Sequence, residues 1–410
     1  MEHAPFWSRP GLDVRDGRLT VAGRDAESLA REHGTPLFVY DLPRIGEQAR
    51  ALEGAFAAAG LPFRLRLAVK AQRDPAVLRF VRGLGSVGLD VCSPGELLLG
   101  LEHGWGPEEI SYTGTNVSER DLDVILAHPV RLNLDLVTQL DRVGRRAPGR
   151  AVGIRVNPRR GAASGPGRRH LYSGADRPSK FGVLEEQLDD ALAAARRHGL
   201  TIETVHFHVG DGFLDDGLPA FEEAVRVVAR MCRRLLDAGC PIGEVNAGGG
   251  LGVPQAPGER PLDVRAYAGI LGEHLGGFGA VLAAEPGDFL CKESGVLLAE
   301  VVTVEERGGV RFVGLDAGYN VAPERFIYGA PVPVVLCRAA DAPPAGPATV
   351  AGNINEGDDL WAEDLPLPEV REGDVLALLG VGSYNQSMYL AHCLRPPAGV
   401  VAFPDRAGES

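Results

Sequence analysis

Short apolar runs alternate with segments of helical periodicity from about residue 36 to residue 290. The apolar runs, each predicted to be a strand, are residues 64–69, 87–91, 110–113, 131–135, 151–156, 204–209, 244–247 and 281–284. The helical segments between them include residues 75–84, 94–103, 119–127, 184–198 and 220–238. Because eight apolar strands, each followed by a helix, can close into a parallel barrel, the pattern predicts an α/β fold of the (β/α)8 TIM-barrel type.

The pattern changes after about residue 291, where β-branched runs are separated by glycine, proline and acidic turns. These runs, at residues 296–304, 310–315, 332–337 and 375–380, predict a C-terminal antiparallel β domain. A short β-like piece at residues 12–21 is expected to join it. We therefore predict an N-terminal segment at 1–35 that joins the β domain, a barrel at 36–290 and the β domain at 291–410.

Composition and charge exclude several classes of protein. A net charge of −13 argues against nucleic acid or an anionic membrane as a partner. The six cysteines are scattered without metal-ligand spacing, which predicts neither a disulfide framework nor a metal site. No apolar run is long enough to span a bilayer, and the first residues lack the apolar region of a signal peptide. We expect a cytoplasmic protein.

The connection at residues 157–182 is unusually long and carries the basic stretch PRRGAASGPGRRH. No aromatic residue is interleaved with its arginines, so a nucleic-acid patch is disfavoured. We expect a solvated loop at the barrel mouth or at a subunit interface. A docking site for an acidic carrier protein is the alternative.

Titratable residues and glycines cluster at the ends of the predicted strands, where the active site of such a barrel lies. In strand order they are Lys70, Asp90, Arg155, His206 and His208, Gly248 to Gly250, and Glu285. Each alone has an ordinary explanation, such as a solvated lysine, a hydrogen-bonded core histidine or a flexible turn. Their joint placement on one barrel face predicts a single site.

These residue types match what pyridoxal phosphate requires of a protein. A lysine in a pocket, here Lys70, can form an imine with its aldehyde. The side-chain-free glycines at 248–250 expose backbone N–H groups to a phosphate, and Glu285 can keep the ring nitrogen protonated. A flat side chain must cover the ring, but strand parity points both His206 and His208 inward and does not choose between them.

The motifs AVKAQRDPAVLRF, RVNP, SKFG, HFHVG, GGGLGVP, EPG, DAG and GSYNQSM follow one another along roughly residues 35–400. In this order they resemble the fold-type III pyridoxal-phosphate decarboxylases, diaminopimelate decarboxylases most closely, with ornithine and arginine decarboxylases more distant. The resemblance implies an alanine-racemase-like barrel with a β domain. It also implies a pyridoxal-phosphate-dependent amino-acid decarboxylase that forms a homodimer with shared active sites.

The resemblance also assigns roles by position. Lys70 matches the Schiff-base lysine, His208 the histidine stacked on the ring, and Glu285 the partner of the ring nitrogen. The residues that it places near the cofactor or its phosphate are Asp90, Arg155, Gly248, Gly249, Gly250 and Tyr384. Glu356 matches a catalytic glutamate that the other subunit contributes.

Four departures from the family pattern concern the substrate. Asp288 replaces the arginine of Glu-Pro-Gly-Arg, which helps to bind a distal carboxylate, and would instead repel one by about 1 kcal/mol. Arg325 could supply the next substrate arginine, shifted by one position from the Arg-Pro-x-x-Tyr pattern whose tyrosine is Tyr328. Asp211 replaces a serine beside the phosphate. Asn355 replaces a cysteine that lies beside the carbon to be reprotonated.

We therefore expect a substrate other than diaminopimelate, either a basic amino acid or an aminoacyl group tethered to a carrier protein in a specialised pathway. One alternative is a diaminopimelate decarboxylase of lysine biosynthesis in which the substitutions are neutral. Another is a racemase or epimerase, against which Glu285 argues because racemases of this fold usually place an arginine there. A non-catalytic regulatory paralogue is the last, and the intact Lys70 and glycine loop argue against it.

Overall fold

Eight parallel strands form a closed barrel in the computed structural model, which describes residues 5–162 and 179–408. In order they are Phe63–Ala68, Val87–Val91, Ile110–Gly114, Arg131–Leu134, Ala151–Asn157, Thr201–His206, Glu244–Asn246 and Val281–Ala284. The last strand pairs with the first through Leu282 and Phe63, which closes the barrel. The predicted barrel is therefore confirmed. A two-residue strand, Val183–Leu184, pairs with the fifth strand.

Helices surround the barrel. The long ones are Leu42–Ala58, Pro75–Leu84, Pro94–Glu102, Glu119–Leu126, Val137–Arg146, Leu188–Arg197, Leu218–Asp237 and Val264–Leu275. Local sequence explains their ends, as Pro75–Leu84 illustrates. The side chain of Asp74 accepts a hydrogen bond from the backbone N–H of Ala76 at 2.8 Å, and Gly85 ends the helix with a φ of +74°.

The β domain is an eight-stranded sheet. Its strands are Leu37–Asp41, Gly295–Arg307, Val310–Leu315, Val334–Leu336, Gly346–Ala351, Leu360–Leu367, Val375–Leu379 and Gly399–Phe403. The sheet is mainly antiparallel, as predicted. Two pairs within it are parallel: Val310–Leu315 with Gly346–Ala351, and Leu37–Asp41 with Gly399–Phe403. Three short helices complete the chain at Ala26–His33, Asp288–Cys291 and Glu324–Tyr328.

One predicted domain boundary is wrong. The predicted barrel range of 36–290 includes residues 37–41, but these form a strand, Leu37–Asp41, that pairs with Gly295–Arg307 and Gly399–Phe403 in the β domain. The barrel therefore begins with the helix Leu42–Ala58. That helix packs between the helices Pro75–Leu84 and Val264–Leu275, and so completes the ring around the strands.

The N-terminal segment forms a small antiparallel sheet of its own, at Leu12–Arg15, Arg18–Val21 and Arg24–Asp25. Apolar side chains of this sheet, including Leu19, are buried against Val296 and other residues of the β domain. The segment thus extends the apolar core of the β domain. None of the helices within residues 5–162 and 179–408 is both long and apolar enough to cross a membrane.

Candidate active site

A cavity of about 320 Å³ opens at the C-terminal ends of the barrel strands. Its wall brings together most of the residues singled out in the sequence: Lys70, Asp90, Arg155, His208, Gly249, Gly250, Glu285, Asp288, Tyr328 and Tyr384. Asp211 also lines it. Because these side chains come from strands and loops far apart in the chain, the fold itself assembles the site.

Lys70 follows the first barrel strand in a turn that the β domain holds in place. Its backbone carbonyl accepts a hydrogen bond from the Ser387 hydroxyl at 3.0 Å, and the same hydroxyl lies 3.1 Å from the carbonyl of Ala71. The Ala71 carbonyl also accepts from the backbone N–H of Tyr384 at 2.8 Å. The lysine side chain is exposed at the cavity, so an aldehyde that enters can reach its amine.

Tyr384 has a φ of +53°, in the left-handed region that bulky side chains rarely adopt. Such strain persists only where the surroundings enforce it, and it is common at ligand sites. Its hydroxyl is close to the backbone of Gly287, where an added Cβ would lie 3.0 Å from it. The strained backbone therefore aims the phenol at the cavity beside Gly287.

The glycine loop after the seventh strand leaves no room for side chains. An added Cβ at Gly249 would lie 2.6 Å from the carbonyl oxygen of Glu285, and one at Gly250 would collide with the Gly210 carbonyl. The side chain of Asn246 accepts a hydrogen bond from the N–H of Gly248 at 2.9 Å and so fixes the loop. The bare backbone is suited to bind a phosphate.

Glu285 ends the eighth strand and is 4% exposed. His206 Nε2 lies 3.0 Å from its Oε2 atom, and the Asn246 side-chain amide donates to its Oε1 atom. Burial alone would raise the pKa of Glu285, but His206, Arg66 and Asn246 together outweigh burial and lower it to about 2. Glu285 is therefore an anion that can pair with a protonated ring nitrogen.

The surroundings shift the pKa values of Asp90 and His208 in the directions that favour their uncharged forms. Burial, reinforced by the charge of Glu285, raises the pKa of Asp90 well above its usual range. Burial, followed by the charges of Lys70 and Arg155, lowers the pKa of His208 well below its usual range. A neutral, flat imidazole at the cavity wall is suited to cover a cofactor ring. The guanidinium carbon of Arg155 lies over the ring of Phe181, 4.4 Å from the ring centroid.

Two carboxylates of the cavity wall, Asp288 and Glu324, form a cluster with Lys292, and none of the three side chains is more than 16% exposed. Lys292 Nζ lies 3.2 Å from Asp288 Oδ1 and also contacts Glu324 Oε1. The Ser383 hydroxyl donates to Asp288 Oδ1 at 2.6 Å, and the Asn385 amide donates to Glu324 Oε2 at 3.1 Å. One lysine thus faces two carboxylates, and we call this group the acidic cluster.

Arg325 is not part of the cavity wall, contrary to its predicted role in substrate binding. Its Nε atom is directed to the carbonyl of Leu360 at 3.4 Å instead. The reason is the helix Glu324–Tyr328, in which residues four apart share a face. Glu324 therefore lies on the side of Tyr328, and both line the cavity, whereas Arg325 is rotated away.

Asn355 and Glu356 also lie outside this cavity. Both are exposed on the β domain, and the Glu356 carboxylate contacts His392 Nε2 at 3.0 Å. The single chain therefore does not bring them to Lys70. The basic stretch of the fifth connection falls largely on residues 163–170, outside the described residues.

Four residues of the site were not assigned by the sequence reasoning. His206 was recognised only as inward-facing, and Asn246 precedes the glycine loop by two residues, a position at which a loop anchor could have been expected. Lys292 follows Asp288 by four positions, which is one helical turn. Glu324 precedes Tyr328 by four, the spacing of the arginine in the family pattern.

These residues fit pyridoxal phosphate. They include the accessible Lys70, the glycine loop at residues 248–250 and the buried carboxylate of Glu285. In addition, Asp90 Oδ1 and His206 Nδ1 are buried polar atoms of the cavity wall that have no hydrogen-bond partner among the described residues. Within the same residues no group of histidine, cysteine, aspartate and glutamate could hold a metal ion.

Comparisons with known proteins agree with this arrangement. The family model described as "Pyridoxal-dependent decarboxylase, pyridoxal binding domain" matches residues 42–292. The chain is 36% identical over 403 residues to a diaminopimelate decarboxylase of Methanothermobacter thermautotrophicus, covering 96% of this chain and 92% of the relative.

Solved structures of decarboxylases are similar to this chain in fold. A diaminopimelate decarboxylase of Helicobacter pylori complexed with L-lysine superposes with a TM-score of 0.83 at 28% identity, over 92% of this chain and 93% of that one. A lysine/ornithine decarboxylase of Vibrio vulnificus complexed with putrescine has a TM-score of 0.79 at 21% identity, over 92% and 96%, and shows a shared fold.

Proposed function

This chain belongs to the pyridoxal-dependent decarboxylases, and we propose that its substrate is an amino acid without a free carboxylate at its distal end. The family membership makes the protein a pyridoxal-phosphate-dependent carboxy-lyase that acts on an amino acid. The acidic cluster is the observation that supports the proposal.

Bound pyridoxal phosphate supplies an electron sink for the bond that breaks at the α-carbon. The chain provides the rest. Lys70 would hold the cofactor aldehyde through its amine, which would also move a proton at the reacting carbon. Glu285 would hold the ring nitrogen in its protonated form, His208 would cover the ring, and the glycine loop would bind the phosphate.

The acidic cluster stands where the family resemblance places two arginines for a distal carboxylate. Asp288 occupies one of these positions and Glu324 the other, four residues before Tyr328. Lys292 is already shared by both carboxylates. With both carboxylates ionised the cluster has a net negative charge, and a distal carboxylate would be repelled by about 1 kcal/mol or more.

The cluster can instead accept a hydrogen-bond donor. Among the described residues Asp288 Oδ1 is bonded to Ser383 and Lys292, whereas its Oδ2 atom has no hydrogen-bond partner. An ammonium group or an amide N–H can fill this position. We therefore place a basic amino acid, such as lysine or ornithine, first. An aminoacyl group joined to a carrier protein through an amide meets the same requirement.

The test is CO2 release by the cofactor-loaded enzyme from a panel of amino acids. The panel contains the D and L forms of lysine, ornithine, arginine and glutamate, meso-diaminopimelate, and lysine with its distal amine acylated. We expect the fastest release from a substrate without a distal carboxylate. Preference for the acylated form would favour the tethered substrate. Fastest turnover of diaminopimelate or glutamate would contradict the proposal.

The dependence of kcat/KM on pH tests whether the acidic cluster binds a cationic substrate. Burial, with the neighbouring charge of Asp288, raises the pKa of Glu324 to about 7, although Lys292 opposes the shift. Above that pH Glu324 is ionised, so kcat/KM for a cationic substrate should increase as the pH rises through about 7. Glu324→Gln should remove this increase. Lys180→Ala, at the same cavity but outside the cluster, should retain it.

A second candidate is diaminopimelate itself. Several relatives are named diaminopimelate decarboxylase, among them the Methanothermobacter protein at 36% identity. In that case Lys292 would have to bind the distal carboxylate in place of both arginines. The panel distinguishes the two candidates.

We further propose that a second copy of the chain completes the active site, with Glu356 crossing to the partner. Glu356 is exposed, and the same domain exposes Ile327, Tyr328, Leu390 and Leu394, which a subunit interface would cover. Mixing inactive Lys70→Ala and Glu356→Ala proteins under conditions of subunit exchange should restore activity. A mixture that remains inactive, or a monomeric active enzyme, would contradict shared sites.

A further inference from the structure

The cavity contains two buried carboxylates, Asp90 and Glu285, and only one of them can serve a protonated ring nitrogen. Two ionised carboxylates that sense each other in a buried site are unfavourable, so one of the pair keeps a proton. The family resemblance assigns the ring nitrogen to Glu285 by position, but the sequence does not show what makes that carboxylate the ionised one. In the structure one of the two carboxylates receives two side-chain hydrogen-bond donors, whereas the other has an oxygen atom without a partner among the described residues.

Glu285 receives both donors. The Asn246 amide donates to its Oε1 atom, and His206 Nε2 lies 3.0 Å from its Oε2 atom. His206 Nδ1 is buried and has no hydrogen-bond partner among the described residues, so a proton on that atom would be an unsatisfied donor. The tautomer with its proton on Nε2 is therefore favoured, and it donates to Glu285. Asp90, by contrast, has a buried Oδ1 atom with no hydrogen-bond partner among the described residues.

His206 is placed specifically for this contact. It is the last residue of the strand Thr201–His206 and is 3% exposed. Lys70, Glu96 and Arg66 also act on Asp90, with Cys92 nearby, and Arg66 also acts on Glu285, with Tyr267 nearby. Arg66 is engaged with Glu244, at 2.9 Å and 3.0 Å, at the opposite end of the barrel.

We propose that His206 is a positioning residue that makes Glu285, rather than Asp90, the ionised carboxylate, and thereby keeps the cofactor ring nitrogen protonated. His206 acts through Glu285. A proton that Glu285 would otherwise share with Asp90 stays on Asp90, because only Glu285 is stabilised as an anion by the imidazole N–H. This inference concerns the cofactor end of the cavity and does not depend on the identity of the substrate.

The experiment loads the enzyme with pyridoxal phosphate isotopically labelled at the ring nitrogen and records the nitrogen chemical shift by NMR, which reports protonation directly. The variants are His206→Leu, which removes the donor, and His206→Gln, which keeps an N–H. We expect wild type and His206→Gln to show a protonated ring nitrogen. His206→Leu should shift towards the unprotonated form and lose kcat by about tenfold or more, since one pKa unit is a tenfold change in occupancy.

Two controls separate positioning from a general loss of structure. KM and cofactor affinity should change much less than kcat in His206→Leu, because Lys70 and the glycine loop are intact. If that variant does not fold, His206→Asn, whose amide is too short for the contact, replaces it. A protonated nitrogen with unchanged kcat in the donor-less variant would overturn the proposal, and so would His206→Gln behaving like His206→Leu.

Discussion

Replacing Lys70 with alanine is expected to abolish both the visible absorbance of the bound cofactor and the release of CO2. The side chain lines the cavity, in a turn fixed by Ser387 and Tyr384, and in the proposed function its amine holds the cofactor aldehyde. Because the same amine is placed to move a proton, we expect kcat to fall by about a thousandfold or more.

Lys180→Ala is the matched control for this experiment, since Lys180 also lines the cavity but lies over the ring of Phe181. It should keep the cofactor absorbance. Retention of the absorbance band by Lys70→Ala, or its loss only in Lys180→Ala, would show that another amine holds the cofactor.

Replacing Glu285 with glutamine or alanine is expected to leave the cofactor bound while kcat falls by about a hundredfold or more. The reason is electrostatic. His206, Arg66 and Asn246 hold Glu285 as an anion, and a neutral side chain can no longer stabilise a protonated ring nitrogen. Absorbance spectroscopy and steady-state kinetics of the purified variants provide the two measurements.

Glu285→Asp, which keeps the charge on a shorter side chain, should retain more activity than Glu285→Gln. A Glu285→Gln enzyme with the rate of the wild type would show that the ring nitrogen needs no anion here. It would also remove the basis for assigning His206 a role through Glu285.

The sequence predicts an element correctly where neighbouring residues in the chain mark its two ends. The helix Pro75–Leu84 was predicted with its observed ends because Asp74 and Gly85 mark them. The strand Leu37–Asp41 was not identified, and its residues were included in the predicted barrel. Its partners, Gly295–Arg307 and Gly399–Phe403, come much later in the chain, and an apolar run does not indicate which sheet it joins.

The same holds for the site residues, which were predicted where the local sequence marks them and missed where they depend on contacts distant in the chain. Lys70, the glycine loop and Glu285 could be recognised because each ends a strand of the barrel. Arg325 was misplaced by one position, which in a helix rotates a side chain by about 100°. The acidic cluster could not be foreseen, because the contact of Lys292 with Glu324 joins two segments that meet only in the folded chain.

The substrate is the central claim, and lysine and meso-diaminopimelate form a matched pair that differs by a single distal carboxylate. The most direct measurement is the ratio of their kcat/KM values on one preparation of cofactor-loaded wild-type enzyme, with the better enantiomer of lysine. Repulsion by Asp288 and Glu324 predicts a ratio of about ten or more in favour of lysine, equivalent to about 1.4 kcal/mol. A ratio below one would contradict the assignment of the acidic cluster as a barrier to distal carboxylates.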